Sequence, residues 1–465
     1  MAGRDYAKQN NVRNPYNDPR RERARQRERE KAMKEEGLRR EREESVKKAQ
    51  ESGMKVRKFL NRWTISGTLD APFVILTFIL LCIGLVMMFS AGYTDAYYRH
   101  GGDELWYIKK QAAFAVAGIV IMFLVSRFNY KRLNGLLAFL GYGGSVLLLI
   151  ITFLVNLHKD NDFKRWLKIG PINFQPSELA KFGLILFLAY NIARQYGMIG
   201  SKKVPNSPLL HKIDDNFTSK CRVFYKDAST MSMVLTLWYT LIISVVCALI
   251  IIENHISCTI LVFLIGVGMM WLGGVKKGYF VILAAFVALA VIIVIKKPDI
   301  LPGYAGQRII AWLDKGYDPL GKRWQTNQSL RAIASGGPFG LGLGGSRQKH
   351  MYVSEPQNDF IFAIICEELG FVGAIVIICL FAALVFRAFR IAVKAKDVFG
   401  SMLAMGIALQ VGIQVILNIA VVSDAIPNTG ISLPFFSYGG SSLVILLAEM
   451  GLILSVSRNS SIEKT

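Results

Sequence analysis

The sequence predicts an all-α, polytopic membrane protein of about ten spanning helices. Three observations carry that expectation. Hydrophobic residues make up 52% of the 465 residues and charged ones only 19%, against roughly 25% charged in an ordinary soluble domain. The apolar side chains gather into long unbroken runs. Charge is segregated from those runs: residues 1–65 hold 20 Lys and Arg against 11 Asp and Glu, and most other basic residues fall in short stretches between apolar ones. The net charge of +22 would point to nucleic acid in a soluble chain. Distributed this way it marks basic loops on the cytoplasmic side of a membrane, and no nucleic-acid partner is expected. A cleaved leader is not expected either, because the first apolar run begins only near Ala71, behind the charged tail.

A spanning helix needs about 20 apolar residues. The runs fall at roughly 71–90, 107–126, 133–157, 178–194, 232–252, 256–272, 279–295, 360–386, 401–422 and 440–456. They are too long and too weakly alternating for barrel strands. Alternating ten helices puts the tail, the Arg127–Arg132 turn, the 194–230 loop, Lys276/Lys277 and the 387–396 stretch on one side. All are basic, so both termini are expected in the cytoplasm. The opposite side then carries 91–106, 157–177, 253–255, 296–358 and 423–439, the longest being 296–358 between the seventh and eighth helices. Two domains result, a charged tail over 1–65 and a membrane domain over 66–465. Within the tail, Arg20–Ser52 mixes opposite charges at helical spacing and predicts a solvated helix. Lys55, Arg57, Lys58 and Arg62, with Phe59, Leu60 and Trp63, predict a segment drawn to anionic lipid. The six Cys show no ligand spacing and read as small apolar side chains.

Long connections in compact structures usually carry function. The 296–358 segment holds Arg308, Gln328, Ser329 and Lys349, cations and polar groups suited to an anionic headgroup, and the run SGGPFGLGLGG at 335–345. Those glycines are no nucleotide fingerprint, since no GK[ST] follows and no strand precedes; they predict flexible or tightly turned backbone. Asp359 stands at the mouth of the eighth helix, in NDFIFAIICEELG (358–370). An Asp there either caps the helix or offers a carboxylate able to take a proton from a hydroxyl at the membrane boundary. Glu367 and Glu368 lie about 12 Å further along, where acids are costly and usually paired or functional. QPSELAK (175–181) opens the fourth helix, with Glu178 and Lys181 three apart on one face. They form either a local ion pair or a polar pair lining a cavity. SDAIPNTGISLPFFSYGGSS (423–442) joins the last two helices and cannot be continuous helix. Non-helical backbone at membrane depth is tolerated only where protein or an aqueous cavity covers it, so Ser437, Gly439, Gly440 and Ser441 are candidates to offer hydroxyls and amides to a polar headgroup. Glu449 in the tenth helix reads as a packed polar partner.

Four stretches, RWLKIGPINFQPSELAK (165–181), QTNQSL to SGGPFGLGLGGSRQK (325–349), NDFIFAIICEELG (358–370) and PNTGISLPFFSYGGSS (427–442), resemble the SEDS family (FtsW, RodA and SpoVE) in order, spacing and helix context. The resemblance spans about 71–456, excludes the charged tail, and leans to the division-type branch through PNTGISLP. It implies a ten-helix fold and a peptidoglycan glycosyltransferase acting on lipid II, an undecaprenyl-pyrophosphate-linked disaccharide-pentapeptide. It further implies that Asp359 is the family's essential aspartate, Glu178 and Lys181 its glutamate–lysine pair, and Arg308 its loop arginine. A class B penicillin-binding protein, a transpeptidase, is the implied partner within the divisome or elongasome. Where the family reads PDLGT, this chain reads ENHISCT (253–259), so no acid role transfers to Glu253. Metal ligation is not derivable from spacing; a divalent cation stands only as a candidate to neutralise the leaving pyrophosphate beside Lys181, Arg308 and Lys349. A lipid II flippase and a non-catalytic division scaffold are the competing functions, and neither needs a carboxylate base.

Overall fold

The structure, a computed structural model, describes residues 67–156, 166–169, 172–200, 228–300 and 304–460, together with Met33 and Thr64. The tail expected to be a solvated helix and a lipid-drawn segment lies outside the described residues apart from those two positions, as does the 201–227 part of the 194–230 loop. The chain divides into a unit of residues 1–64 and a unit of residues 65–465; the second is described below.

Each of the ten apolar runs folds as a helix. They are α1 (Ala71–Arg99), α2 (Trp106–Arg127), α3 (Leu136–Val155), α4 (Pro176–Gly200), α5 (Ala228–Ile252), α6 (Ile256–Leu272), α7 (Lys277–Lys296), α10 (Ile361–Val393), α11 (Val398–Val422) and α12 (Gly440–Arg458). Among the described residues eight of these are long and apolar enough to cross a membrane, and the chain is a multi-pass membrane protein. The other two are α6, a shorter apolar helix, and α4, which carries Glu178 in its first turn. The stretch between α7 and α10 is not plain loop: it contains α8 (Tyr304–Leu313) and α9 (Trp324–Gly336). Ahead of α4, strands β1 (Leu167–Ile169) and β2 (Ile172–Phe174) pair antiparallel, a small hairpin that apolar-run counting does not reveal.

Helices in lipid associate through close packing and polar contacts, because burying apolar surface gains little there. The α2–α12 contact shows this, since a Cβ on Gly451 would fall 2.5 Å from the Met122 carbonyl oxygen. The buried centre of the bundle is built from α4, α6, α11 and α12 with the first turns of α10, where Phe360 to Glu368 are all buried. At the other extreme, no residue of α7 is buried.

Two polar ties join α1 to α10 and bracket an apolar stretch between them. At one end Arg387 reaches Asp70 with both Nε and Nη2 at 2.9 Å. At the other, Ser90 donates to Glu368 at 2.7 Å, and Lys349 pairs with the same carboxylate at 2.9 Å. On each helix the two ties lie about 20 residues apart, or about 29 Å at the α-helical rise. That matches a hydrocarbon core of about 30 Å. Asp70 also caps α1, accepting from the Phe73 amide at 3.1 Å. Asp70→Asn should therefore keep the cap and lose the ion pair, whereas Asp70→Ala loses both. Removing one partner of a buried pair costs about 3 kcal/mol or more, and the cap about 1 kcal/mol more. Thermal unfolding in detergent should rank wild type above Asn above Ala.

Candidate active site

Asp359 sits half-buried at the end of the bundle away from Asp70, on the short segment that leads into α10. It does not cap that helix, since the N-cap position is Phe360 and no side chain bonds there. The segment is instead held through its carbonyls. Gln357 O accepts from the Tyr438 amide at 2.8 Å, Asn358 O from Ser437 Oγ at 2.8 Å, and Asp359 O from Asn418 Nδ2 at 2.9 Å. Gln357 also donates to Asp95 of α1 at 3.2 Å, and Tyr107 donates to the same carboxylate oxygen at 2.6 Å. Buried backbone polar groups demand partners, and here three consecutive ones are met from the 431–438 loop and α11. The carboxylate faces Gly430, where a Cβ would stand 2.9 Å from Asp359 Oδ2. Gly430 has φ +73°, a conformation that leaves its side free of bulk.

Around this carboxylate are buried oxygens that make no hydrogen bond among the described residues: Asn358 Oδ1, Asn418 Oδ1, Asn428 Oδ1 and Thr429 Oγ. Arg308 on α8 donates to Asn428 O at 2.8 Å, Gln325 accepts from Asn428 Nδ2 at 3.2 Å, and Arg323 pairs with Asp424 at 2.5 Å. Helices α8 and α9 are thereby fastened onto the 424–428 segment. Ser329 is spent on the Val422 carbonyl at 2.8 Å, and Gln328 is buried with its Nε2 unpaired among the described residues.

Glu178 and Lys181 form an ion pair at 2.9 Å, and Lys181 also donates to Gln414 Oε1 at 3.3 Å. With Gln410, Ser432, Ser437 and Ser442, Glu178 and Gln414 line a small cavity, so Glu178 faces that cavity while Lys181 is held in the local pair. Three amides recur on one face of α11. Gln410 donates to Glu449 at 2.7 Å, Gln414 to the Ser432 carbonyl at 2.9 Å, and Asn418 to Asp359. Sequence reading passed over this stripe, although four-residue spacing of amides in an apolar run is visible in LQVGIQVILN and polar groups at membrane depth are costly.

The glycine-rich run is not loose. At Gly370 (φ +68°) α10 breaks, and the broken turn exchanges hydrogen bonds with the run. Leu341 N and Gly342 N donate to the carbonyls of Glu367 and Glu368, while Phe371 N and Val372 N donate to those of Gly337 and Pro338. A Cβ on Gly340 would meet Glu368 O at 2.2 Å. Glu367 accepts from Arg347 N at 3.0 Å and from Ser335 Oγ at 3.2 Å. Lys349, expected to face a headgroup, is fully buried, its ammonium on Glu368, on the Gly344 carbonyl at 2.7 Å and on Ser90. Ser437 is likewise engaged on Asn358 and also accepts from Leu433 N at 2.7 Å. Gly439 N donates to Gln111 at 3.2 Å, Gly440 starts α12, and Ser441 donates to Asn173 of β2 at 3.3 Å. Glu449 is the packed polar partner expected. Among the described residues no group of three His, Cys, Asp or Glu could hold a metal. Glu253, in the turn between α5 and α6, is buried with neither carboxylate oxygen bonded among the described residues, and burial pushes its carboxyl up to about 8.

Residues 71–462 match the family described as a cell cycle protein, FtsW/RodA/SpoVE. Over 400 residues the chain is 36% identical to stage V sporulation protein E of Bacillus subtilis, covering 84% of this chain and 97% of that protein. It is 33% identical over 399 residues to the probable peptidoglycan glycosyltransferase FtsW of Neisseria gonorrhoeae, covering 83% and 84%. Among solved structures, a chain of a peptidoglycan synthase complex that coordinates polymerisation and crosslinking aligns with TM-score 0.62 and 27% identity, over 85% of this chain and 99% of that one. RodA of Thermus thermophilus aligns with TM-score 0.57 and 25% identity over the same shares. The chain belongs to the FtsW/RodA/SpoVE family.

Two outcomes follow from the buried charges. Lys349→Ala leaves Glu368 buried without its cation and should cost about 3–5 kcal/mol, read as a fall in melting temperature; Lys349→Met with Glu368→Leu should recover part of it. For Glu253 the folded state holds a proton that the unfolded chain releases above its ordinary carboxyl range, so stability should fall as pH rises from about 4.5 towards 8. Glu253→Gln should lack that fall when the two melting curves are compared at pH 5 and pH 8.

Proposed function

We propose that this chain is a peptidoglycan glycosyltransferase that polymerises lipid II in cell division or cell-wall growth. The observation that carries the reading is the Asp359 carboxylate, anchored at the polar end of a membrane bundle among acceptor oxygens that no protein donor among the described residues reaches. Family membership supports the same chemistry. The Asp359 end lies outside the cell and both termini in the cytoplasm, a reading supported by the basic connections at the opposite end. Counting α4 and α6 as spans gives ten crossings.

In this mechanism the C4 hydroxyl of the acceptor GlcNAc gives its proton to Asp359 as its oxygen attacks C1 of the donor MurNAc. The bond to undecaprenyl pyrophosphate breaks on the opposite face, the leaving group keeps the electron pair, and the α donor becomes a β linkage. One positioned base serves this inverting transfer. Pyrophosphate is already a weak base and needs its charge neutralised rather than a proton. Arg308 is assigned that task, with Glu178, paired to Lys181, on the wall of a nearby cavity. The unpaired oxygens of Asn358, Asn428 and Thr429 suit the hydroxyl and amide donors of amino sugars. Together with Asp359 they are also hard oxygen ligands of the kind a divalent cation takes when phosphate completes its shell; such a cation would supply further neutralisation. The buried positions of Gln328, Ser329 and Lys349 assign them to holding the loop, and Ser437, Gly439, Gly440 and Ser441 to the wall behind Asp359.

The partner proposed is a class B penicillin-binding protein, in keeping with a solved relative that couples polymerisation to crosslinking. The tail over 1–65 is assigned to the cytoplasmic membrane surface and partner recruitment. The deciding experiment compares wild type and Asp359→Asn, purified with a cognate transpeptidase and supplied with lipid II. The variant should fold and insert normally, and its initial rate of glycan synthesis should fall by about 10²–10⁴-fold. Near-normal glycan chains from Asp359→Asn would remove the residue from the role. Lipid II translocation without polymer from the wild type would favour a flippase, and neither activity a scaffold.

A further inference from the structure

The α11 amide stripe ends at a side chain that the mechanism above does not use. Asn418 is completely buried in an otherwise apolar part of its helix. A carboxamide in such a place is costly unless its polar atoms are met. Its Nδ2 spends both protons on backbone carbonyls, Asp359 O at 2.9 Å and Ile431 O at 2.6 Å. Turning the amide over would set its oxygen against two carbonyl oxygens, so the direction of the fork is fixed by its surroundings. Ile431 follows Gly430, the residue against which the Asp359 carboxylate rests. A single side chain thus ties the segment carrying the carboxylate to the segment that bounds it. The neighbouring carbonyls of Gln357 and Asn358 are held by Tyr438 and Ser437, both in a loop; the carbonyl of Asp359 is held from a spanning helix, and rigid elements hold catalytic groups best.

We infer that Asn418 is the positioning residue of Asp359, setting the carboxylate where the acceptor hydroxyl meets it. The inference rests on the reading of Asp359 as the base. A misplacement of about 1 Å at a reacting group costs about 100-fold in rate. Loss of the fork frees the Asp359 carbonyl to move towards any other donor, and the carboxylate moves with its backbone. Substrate contacts elsewhere stay in place, so the effect falls on kcat rather than on KM.

The test uses the full chain with its transpeptidase and lipid II, in wild-type and Asp359→Glu backgrounds. Asn418→Ala should lower kcat by about 100-fold with KM changed by less than about twofold. In the Asp359→Glu background, where a longer arm has already misplaced the carboxylate, the same substitution should cost less than about threefold, because coupled residues are non-additive. Asn418→Ser, which keeps one donor, serves as the second variant if Ala unfolds, and should lose less than Ala where both fold. Unchanged kcat in a folded Asn418→Ala, or an equal fold-loss in both backgrounds, would overturn the positioning role while leaving the base in place. Normal polymerisation by Asp359→Asn would instead bring down the base, and the positioning with it.

Discussion

Hydrocarbon offers no hydrogen bonds, so each backbone amide and carbonyl at membrane depth must find its partner inside the protein. Regular helix solves this for most of the chain, and the instructive places are those where it stops. At the segment before α10, three successive carbonyls are met by the Tyr438 amide, the Ser437 hydroxyl and the Asn418 carboxamide. At Gly370 the helix gives up its own turn and takes bonds from the glycine-rich run instead. The same requirement that permits a non-helical site at the end of a membrane bundle also makes that site stiff. A carboxylate carried on such backbone is placed by the satisfaction of its neighbours.

Buried charge follows a similar logic. Glu368 and Lys349 neutralise each other with no exposure, and Asp70 pairs with a partly exposed Arg387 at the far ends of α1 and α10. Between them α1 and α10 run apolar for about the thickness of a bilayer core. These ties do not need to add net stability to matter, because separated buried ions would be far worse. With the Ser90–Glu368 hydrogen bond, their effect is to forbid sliding: shifting α1 against α10 by one turn would part Asp70 from Arg387 and Ser90 from Glu368.

The sequence disclosed the helices well and the site only partly, for physical reasons. Runs of apolar residues long enough for a bilayer are a strong signal, and all ten became helices. Asp359, Glu178 and Lys181 stood out because charge near hydrocarbon is rare. Lys349 shows the limit of that signal, since a lysine in an outward loop looks available and its burial depends on Glu368 and Ser90, which are distant in the chain. Ser437 looked like a hydroxyl on offer and is occupied by Asn358 for the same kind of reason. The break at Gly370 could not be read, because EELGFVG sits inside an apolar run and one glycine does not announce a bond exchange. The Gln410, Gln414 and Asn418 stripe was legible in principle: neutral amides draw less attention than charges, yet in an apolar helix they cost nearly as much to leave unmet.

The exchange at Gly370 also bears on what this region can absorb by way of change. Its four backbone bonds match 337 and 338 with 371 and 372, and 341 and 342 with 367 and 368. None involves a side chain, and Pro338 gives only a carbonyl, having no amide to satisfy. Phe339, at the tip of the turn, is 82% exposed. Identity at the tip is therefore free to drift, whereas an inserted or deleted residue between 337 and 342 would put every partner out of step at once. The spacing of this stretch and the bare backbone at Gly340 and Gly370 are what the protein must preserve; the letter at position 339 is negotiable.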